Sequence, residues 1–136
     1  MIHQINITLP AMSRGFHIIT SQIEKALGEL PEMGMLNVFL QHTSAGLSIN
    51  ENADPSVLVD FETVLNKLAP EGDNDYTHIF EGMDDMPAHI KSSLMSVSLN
   101  IPIQNHQLAL GIWQGIYLCE FRNNGGNRKI VCTITS

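Results

Sequence analysis

Basic residues are scarce in this chain: seven Lys plus Arg face fourteen Asp plus Glu over 136 residues, a formal net charge of −7 with histidine neutral. Neutralising a phosphate backbone needs clustered Lys and Arg, so the shortage excludes broad nucleic-acid binding. No stretch approaches the run of about eighteen apolar residues that a membrane-crossing helix needs. The opening MIHQINITLP also has no basic n-region and no long apolar core. A soluble, unexported, cytoplasmic protein with no membrane partner is the expectation. Cysteine is limited to Cys119 and Cys132, which sit in apolar segments, match no zinc spacing and read as buried thiols of a reducing compartment. A Walker P-loop and a dinucleotide fingerprint are absent. Neither Ser44 nor Ser48 has the G-x-S-x-G frame of a hydrolase elbow.

Apolar side chains are plentiful by contrast. Hydrophobic residues make up 43% of the chain and charged residues 15%, which places it among globular proteins, and the length argues for one domain spanning 1–136. A chain of this size buries roughly two thirds of its unfolded surface without disulfides or a structural metal. Any metal is then functional rather than a folding staple.

The alternation of Ile5, Ile7 and Leu9 with Asn6 and Thr8 predicts a strand over about 2–9, stopped by Pro10. Ile19, Ile23, Ala26, Leu27 and Leu30 recur at helical spacing and predict a helix over about 17–28. The apolar run 35–41 reads as an inner strand that delivers His42 at its end. Asp54 as N-cap, Pro55 and the stripe Val57, Leu58, Phe61, Leu65 and Leu68 predict a helix over about 55–69. From Glu71 to Asp85 there are six carboxylates and no Lys or Arg, which fits a solvated loop, and a short helix follows from Pro87 through Leu94. Strands are expected over 97–103 and 108–122, the second interrupted at Gly111 and Gly115, and Asn123 to Asn127 reads as a hairpin turn into a last strand over 128–135. The order of elements gives an α+β fold: a mixed β-sheet with packed helices and a C-terminal β-hairpin.

Several polar segments could carry chemistry. Gln41 to Gly46 follows a buried strand, at the rim where sites often form, and includes His42 and Ser44. Asn50 and Glu51 precede the second helix, where Glu51 can act as a base or complement the helix dipole. His89 sits one turn after Asp85, so that carboxylate can orient the ring or share a ligand with it. Neutral imidazoles from His42, His78 and His89 would make an open zinc-type site, although their spacing alone does not bring them together. An EF-hand count through Asp73, Asp75, Thr77 and Asp84 fails because His78 stands where the glycine is required. Arg122, Arg128 and Lys129 flank the expected turn, where they can hold a phosphate or pair across strands with Glu120.

Taken together, QHTSAGLSINENADPSV at 41–57, EGMDDMPAHIKSSL at 81–94 and GIWQGIYLCEFRNNGGNRKI at 111–130 resemble the YjbQ-like family, also called the secondary thiamine-phosphate synthase family. The resemblance spans nearly the whole chain and implies a YjbQ-like fold, a homotrimer and polar pockets near the subunit boundaries. It places His42, His78 and His89 at the family's recurring histidines, as ligands of a divalent cation, zinc first and magnesium second. Glu51 and Asp85 become candidates for handling protons, and Ser44, Asn50, Gln114, Glu120 and Arg122 candidates for holding a small phosphorylated substrate. The implied activity is that of a metal-dependent transferase joining a pyrimidine diphosphate to a thiazole phosphate with release of pyrophosphate. A non-catalytic oligomeric module that binds a small ligand is the alternative. Ile112, Ser96 and Asn105-His106-Gln107 depart from the family's usual residues, which leaves the proposed ligands intact and bears on substrate preference.

Overall fold

A computed structural model describes all residues from Met1 to Ser136. Eight strands and three helices follow one another as β1 (Ile2–Leu9), β2 (Gly15–Ile18), α1 (Thr20–Leu27), β3 (Met33–Leu40), β4 (Ala45–Glu51), α2 (Pro55–Leu68), α3 (Asp85–Leu94), β5 (Ser98–Gln104), β6 (Gln107–Leu108), β7 (Gln114–Glu120) and β8 (Arg128–Thr135). The strands form two sheets, one in the order β1-β8-β3-β5-β6 and one in the order β2-β7-β4. The α+β class is as expected, and every strand pair is antiparallel.

Apolar residues from both sheets and from α1 meet in one core, which includes Leu9, Ile23, Leu36, Val38, Leu47, Ile101, Ile116, Leu118, Ile130 and Cys132. β7 is the middle strand of the smaller sheet, and its alternation feeds two cores at once. Ile116 and Leu118 face the larger sheet. Tyr117, Cys119 and Phe121 face the other way, against Leu65 of α2, Ala88 of α3 and Phe16 of β2. The smaller sheet is thus covered on both sides, so residues 115–121 are all buried. Burying one Leu or Ile of this kind contributes roughly 1.5–3 kcal/mol.

The structure corrects four expectations. Residues 17 and 18, expected to open the first helix, end strand β2 instead, because Phe16, His17 and Ile18 pair with Cys119, Leu118 and Tyr117. Sheet pairing here overrides local helical spacing. β4 is an additional strand, paired with β7 from Ala45↔Glu120 to Glu51↔Gln114, where only a polar rim was expected. Within 108–122 only Gln114–Glu120 forms a long strand, β7, which Gly115 does not interrupt; Leu108 ends the two-residue β6 of the other sheet. The turn at 123–127 closes no hairpin, since β7 and β8 belong to different sheets and the segment carries the chain from one to the other. Its glycine answers to packing: a Cβ on Gly125 would lie 2.5 Å from Glu120 Oε1.

α2 starts as its sequence predicts, with Asp54 Oδ1 accepting from Ser56 N at 2.9 Å and Pro55 in the first position. α3 starts differently. Asp84 makes no side-chain cap, because Arg122 Nε and Asn123 N both donate to its Oδ2 at 2.9 Å. That use of a helix-start carboxylate ties α3 to the end of β7 and positions the residues of the next section.

Candidate metal centre

α3 lies over the start of β4, held there by Ser92 Oγ, which donates to the Ala45 carbonyl at 2.8 Å, and by His89 Nδ1, which donates to the Thr43 carbonyl at 2.9 Å. Helical spacing of four residues puts Asp85 and His89 on one face. The acidic loop before α3 brings His78 to the same place. His78 Nε2 lies 2.6 Å and His89 Nε2 3.1 Å from one oxygen, Asp85 Oδ2, and the two rings meet edge to face with centroids 5.4 Å apart. The ligand atoms of all three residues fall within 4.8 Å of one another.

Asp85 is fully buried, while the His89 and His78 side chains are 31% and 45% exposed, so the group opens to solvent from the imidazole side. Its other oxygen, Oδ1, accepts from Arg122 Nη1, which turns Oδ2 towards the rings. Burial alone would raise the Asp85 pKa. The hydrogen bond from His78 and the positive charges of His89 and Arg122 outweigh it and hold the carboxyl below its ordinary value. Burial likewise pushes Asp84 up, and the Asn123 amide and Arg122 bring it down past its usual value.

The donor set fits a divalent cation. A carboxylate oxygen and a backbone carbonyl only accept hydrogen bonds. With no cation between them, both Nε2 atoms must therefore carry protons. His89 Nδ1 already donates to the Thr43 carbonyl, so both nitrogens of its ring face acceptors. A cation held by His78, His89 and Asp85 would take the place of those protons, and the Thr43 carbonyl would supply the outer hydrogen bond that fixes the tautomer of a metal-binding histidine. Two imidazoles and one carboxylate with an exposed side is a common catalytic zinc set.

The remaining candidates are distributed unevenly. His42 does not join the three-residue group. Its Nε2 accepts from Lys129 N at 2.7 Å, and burial followed by the Arg128 charge holds its pKa below 6.5. It faces His89 instead across an open groove of about 380 Å3, lined also by Thr43, Ser92 and Ser93. Glu120 is fully buried and receives Arg128 Nε and Nη2 together with Arg122 N. Ser44 contributes a backbone carbonyl to Arg128 Nη2 at 3.3 Å. The Arg122 fork is occupied by Asp84, Asp85 and the Glu81 carbonyl, so neither arginine presents a free guanidinium.

Asn50, Glu51 and Gln114 lie at the opposite end of the β4–β7 ladder. At about 3.3 Å per residue, the six steps from Ala45 to Glu51 place them about 20 Å from the histidines. There they line a second depression of about 430 Å3 with Trp113 and Val57. Sequence reasoning missed the Thr43 carbonyl and the Lys129 amide. No side-chain pattern marks a backbone group, and only the strand register could have found them.

The family model described as UPF0047 protein YjbQ-like matches residues 4–136. UPF0047 protein YjbQ of Salmonella typhimurium is 49% identical over 136 residues, and that of Escherichia coli O157:H7 is 46% identical over the same length, each alignment covering 98% of both chains. A crystal structure of an uncharacterized conserved protein of the yjbq/upf0047 family from Clostridium acetobutylicum superposes with a TM-score of 0.84 at 42% identity, over 96% of this chain and 99% of that one. The hypothetical protein APE1520 of Aeropyrum pernix has the same fold, with a TM-score of 0.84 at 23% identity. These names carry no reaction, so a functional reading has to come from the site.

Proposed function

As this chain belongs to the YjbQ-like UPF0047 family and gathers two imidazoles and a carboxylate at an open rim, we propose that it is a metal-dependent enzyme acting on a small phosphorylated substrate. The observation that carries the reading is the convergence of His78 Nε2 and His89 Nε2 on Asp85 Oδ2, with Thr43 and Arg122 orienting the group from behind. His78, His89 and Asp85 would hold the cation, zinc before magnesium because imidazole suits zinc. When bound, the cation supplies Lewis-acid stabilisation of negative charge on a phosphoryl oxygen. Arg122 keeps Asp85 ionised and aimed, and Asp84 keeps Arg122 in place. Within this reading the finer activity is a thiamine-phosphate synthase-like transfer, pyrimidine diphosphate plus thiazole phosphate with pyrophosphate released.

The proposed assembly is a homotrimer. Ile112 and Trp113 are 82% and 63% exposed, and α2 leaves Val59, Val64 and Leu68 uncovered, which is apolar surface suited to a second copy. Such an assembly would also let Glu51, Asn50 and Gln114 of one copy serve the histidines of another, a span that one chain does not bridge.

Metal analysis of tag-free protein supplied with zinc tests the reading. One zinc per chain is expected for the unaltered protein, with loss in His78→Ala, His89→Ala and Asp85→Asn. Unchanged metal content in all three variants rejects the ligand assignment. Saturable binding of the diphosphate without turnover would instead favour a non-catalytic binding module.

A further inference from the structure

His42 lies across the groove from His89, and its hydrogen bonding determines what it can offer there. A backbone N–H can only donate, and Lys129 N points at His42 Nε2 from 2.7 Å. That nitrogen must present its lone pair, since a proton on it would set two N–H groups against each other. The proton of the neutral ring is then on Nδ1. The arrangement is held from both sides, because the Lys129 carbonyl in turn accepts from Gln41 N at 3.1 Å and residue 128 begins β8. The His42 ring thus takes the place of a strand carbonyl just beyond the last β3–β8 pair, Leu40↔Ile130.

His42 Nδ1 makes no hydrogen bond to the protein and no buried side-chain nitrogen or oxygen lacks a partner, so Nδ1 keeps solvent exposure on a ring that lines the groove. The neighbouring hydroxyls are differently employed. Ser92 Oγ donates to the Ala45 carbonyl and Ser93 Oγ to the His89 carbonyl at 3.2 Å, which leaves both facing the groove as acceptors. Among these side chains the His42 ring alone has its donor fixed in place by the strand register.

We infer that His42 contacts the substrate as a neutral imidazole of fixed tautomer, donating from Nδ1 to a phosphoryl oxygen of a molecule seated between it and His89, and is not a ligand of the cation. This rests on the proposed metal centre for its second partner and deepens that reading by separating the three histidines into two roles. Ligation through Nδ1 would require a bare Nδ1 and hence a protonated Nε2, which the Lys129 amide opposes.

Two substitutions divide the ring's functions. His42→Gln can keep an acceptor near the Nε2 position for Lys129 N while removing the groove donor, and His42→Asn can keep a donor near the Nδ1 position while losing that acceptor. Long-range proton–nitrogen NMR of the full chain at neutral pH is expected to show His42 protonated at Nδ1 and bare at Nε2, unchanged when zinc is added. His42→Gln is expected to retain wild-type zinc and to bind inorganic phosphate about tenfold more weakly, the effect of one hydrogen bond of about 1.4 kcal/mol, with part of the affinity restored in His42→Asn. An Nε2–H tautomer, loss of the Nδ1 proton on zinc addition, zinc loss in His42→Gln, or phosphate affinity equal to wild type in His42→Gln would each overturn the inference. Failure of the metal centre is told apart from these, because it shows as wild-type protein without zinc while the tautomer is still read directly from the metal-free chain.

Discussion

At one end of the β4–β7 ladder Glu120 is wholly buried and divides its carboxylate between Arg128 and the Arg122 amide, whereas at the other Glu51 sits half-buried beside an exposed Trp113. The two glutamates occupy the two ends of one register, paired with Ala45 in the first case and Gln114 in the second. What separates the ends is the number of fixed partners. Around Glu120 the ties are continuous: Arg128 pairs with Glu120, Glu120 accepts from the Arg122 backbone amide, and the Arg122 guanidinium pairs with Asp84 and Asp85, which holds the two histidines. Around Glu51 the side chains have few ties, and the backbone carries the contacts: Tyr117 Oη donates to the Glu51 carbonyl and Asn52 Nδ2 to the Gln114 carbonyl at 3.0 Å. The first end is a prepared site. The second has the surface of a region still to be covered.

Breaking the comparison at its strongest point gives the largest expected effect. Glu120→Ala leaves Arg128 buried and unpaired, a change that typically costs about 3–5 kcal/mol. Glu51→Ala, which removes a half-buried side chain with no hydrogen bond or ion pair, should stay within about 0.5 kcal/mol in the monomer. Urea unfolding of both variants checks the contrast, and equal losses would abolish it. Gly125→Ala should act in the direction of Glu120→Ala, since its methyl would lie 2.5 Å from Glu120 Oε1 and 2.7 Å from Arg128 Nη2.

The next effect is at Asp85. Asp85→Asn removes the charged acceptor of His78, His89 and Arg122, and a hydrogen bond to a charged group contributes on the order of 1.5–3 kcal/mol. Its pH dependence is the more informative readout. The folded pKa of Asp85 lies below the ordinary 3.8, so its stabilisation is complete above that value and is lost as pH falls through the lower folded one. Acid unfolding curves of wild-type protein should therefore be steeper below pH 3.8 than those of Asp85→Asn. Parallel curves would show that the charge adds nothing to the rim.

How far the sequence could be read follows the same division. Local signals were legible: the alternation of β1, the Asp54-Pro55 start of α2, and the Asp85/His89 spacing that one turn of helix enforces. Partnerships across the fold were not. His78 stands seven residues before Asp85 in a loop with no periodic pattern, so only coordinates bring its ring to the carboxylate. β4 was legible as well, since Ala45, Leu47 and Ile49 alternate with Gly46, Ser48 and Asn50, but its polar half reads as a rim; Gly46 is small for a tertiary reason, because a Cβ there would come within 2.6 Å of Met95. The family resemblance named His42 together with the other histidines, and the backbone amide that engages it lies 87 positions away.

A smaller effect is expected at the open end. Gln114 Oε1 accepts from Gly111 N at 2.7 Å and closes the turn that presents Ile112 and Trp113. Gln114→Ala should cost about 0.5–1 kcal/mol in chemical denaturation, the net contribution of one ordinary hydrogen bond. A loss as large as that of Glu120→Ala would mean that this end is as firmly built as the other.

The smallest effect concerns His42, and it separates a ring used for architecture from a ring merely near a site. Burial first, and the Arg128 charge second, hold its folded pKa below the 6.5 of a free histidine. Between those two values the unfolded chain binds a proton that the folded chain refuses, because the imidazolium would lose the lone pair that receives Lys129 N. Stability therefore rises with pH across that window, is fully present above 6.5, and is lost as pH falls towards the folded value. His42→Gln cannot titrate, so its unfolding free energy should climb less steeply as pH rises towards 6.5 than that of the wild type. The other five histidines are common to both proteins, so the difference in slope belongs to His42. Identical slopes would mean that the ring accepts a proton as readily folded as unfolded, which the Lys129 hydrogen bond does not permit.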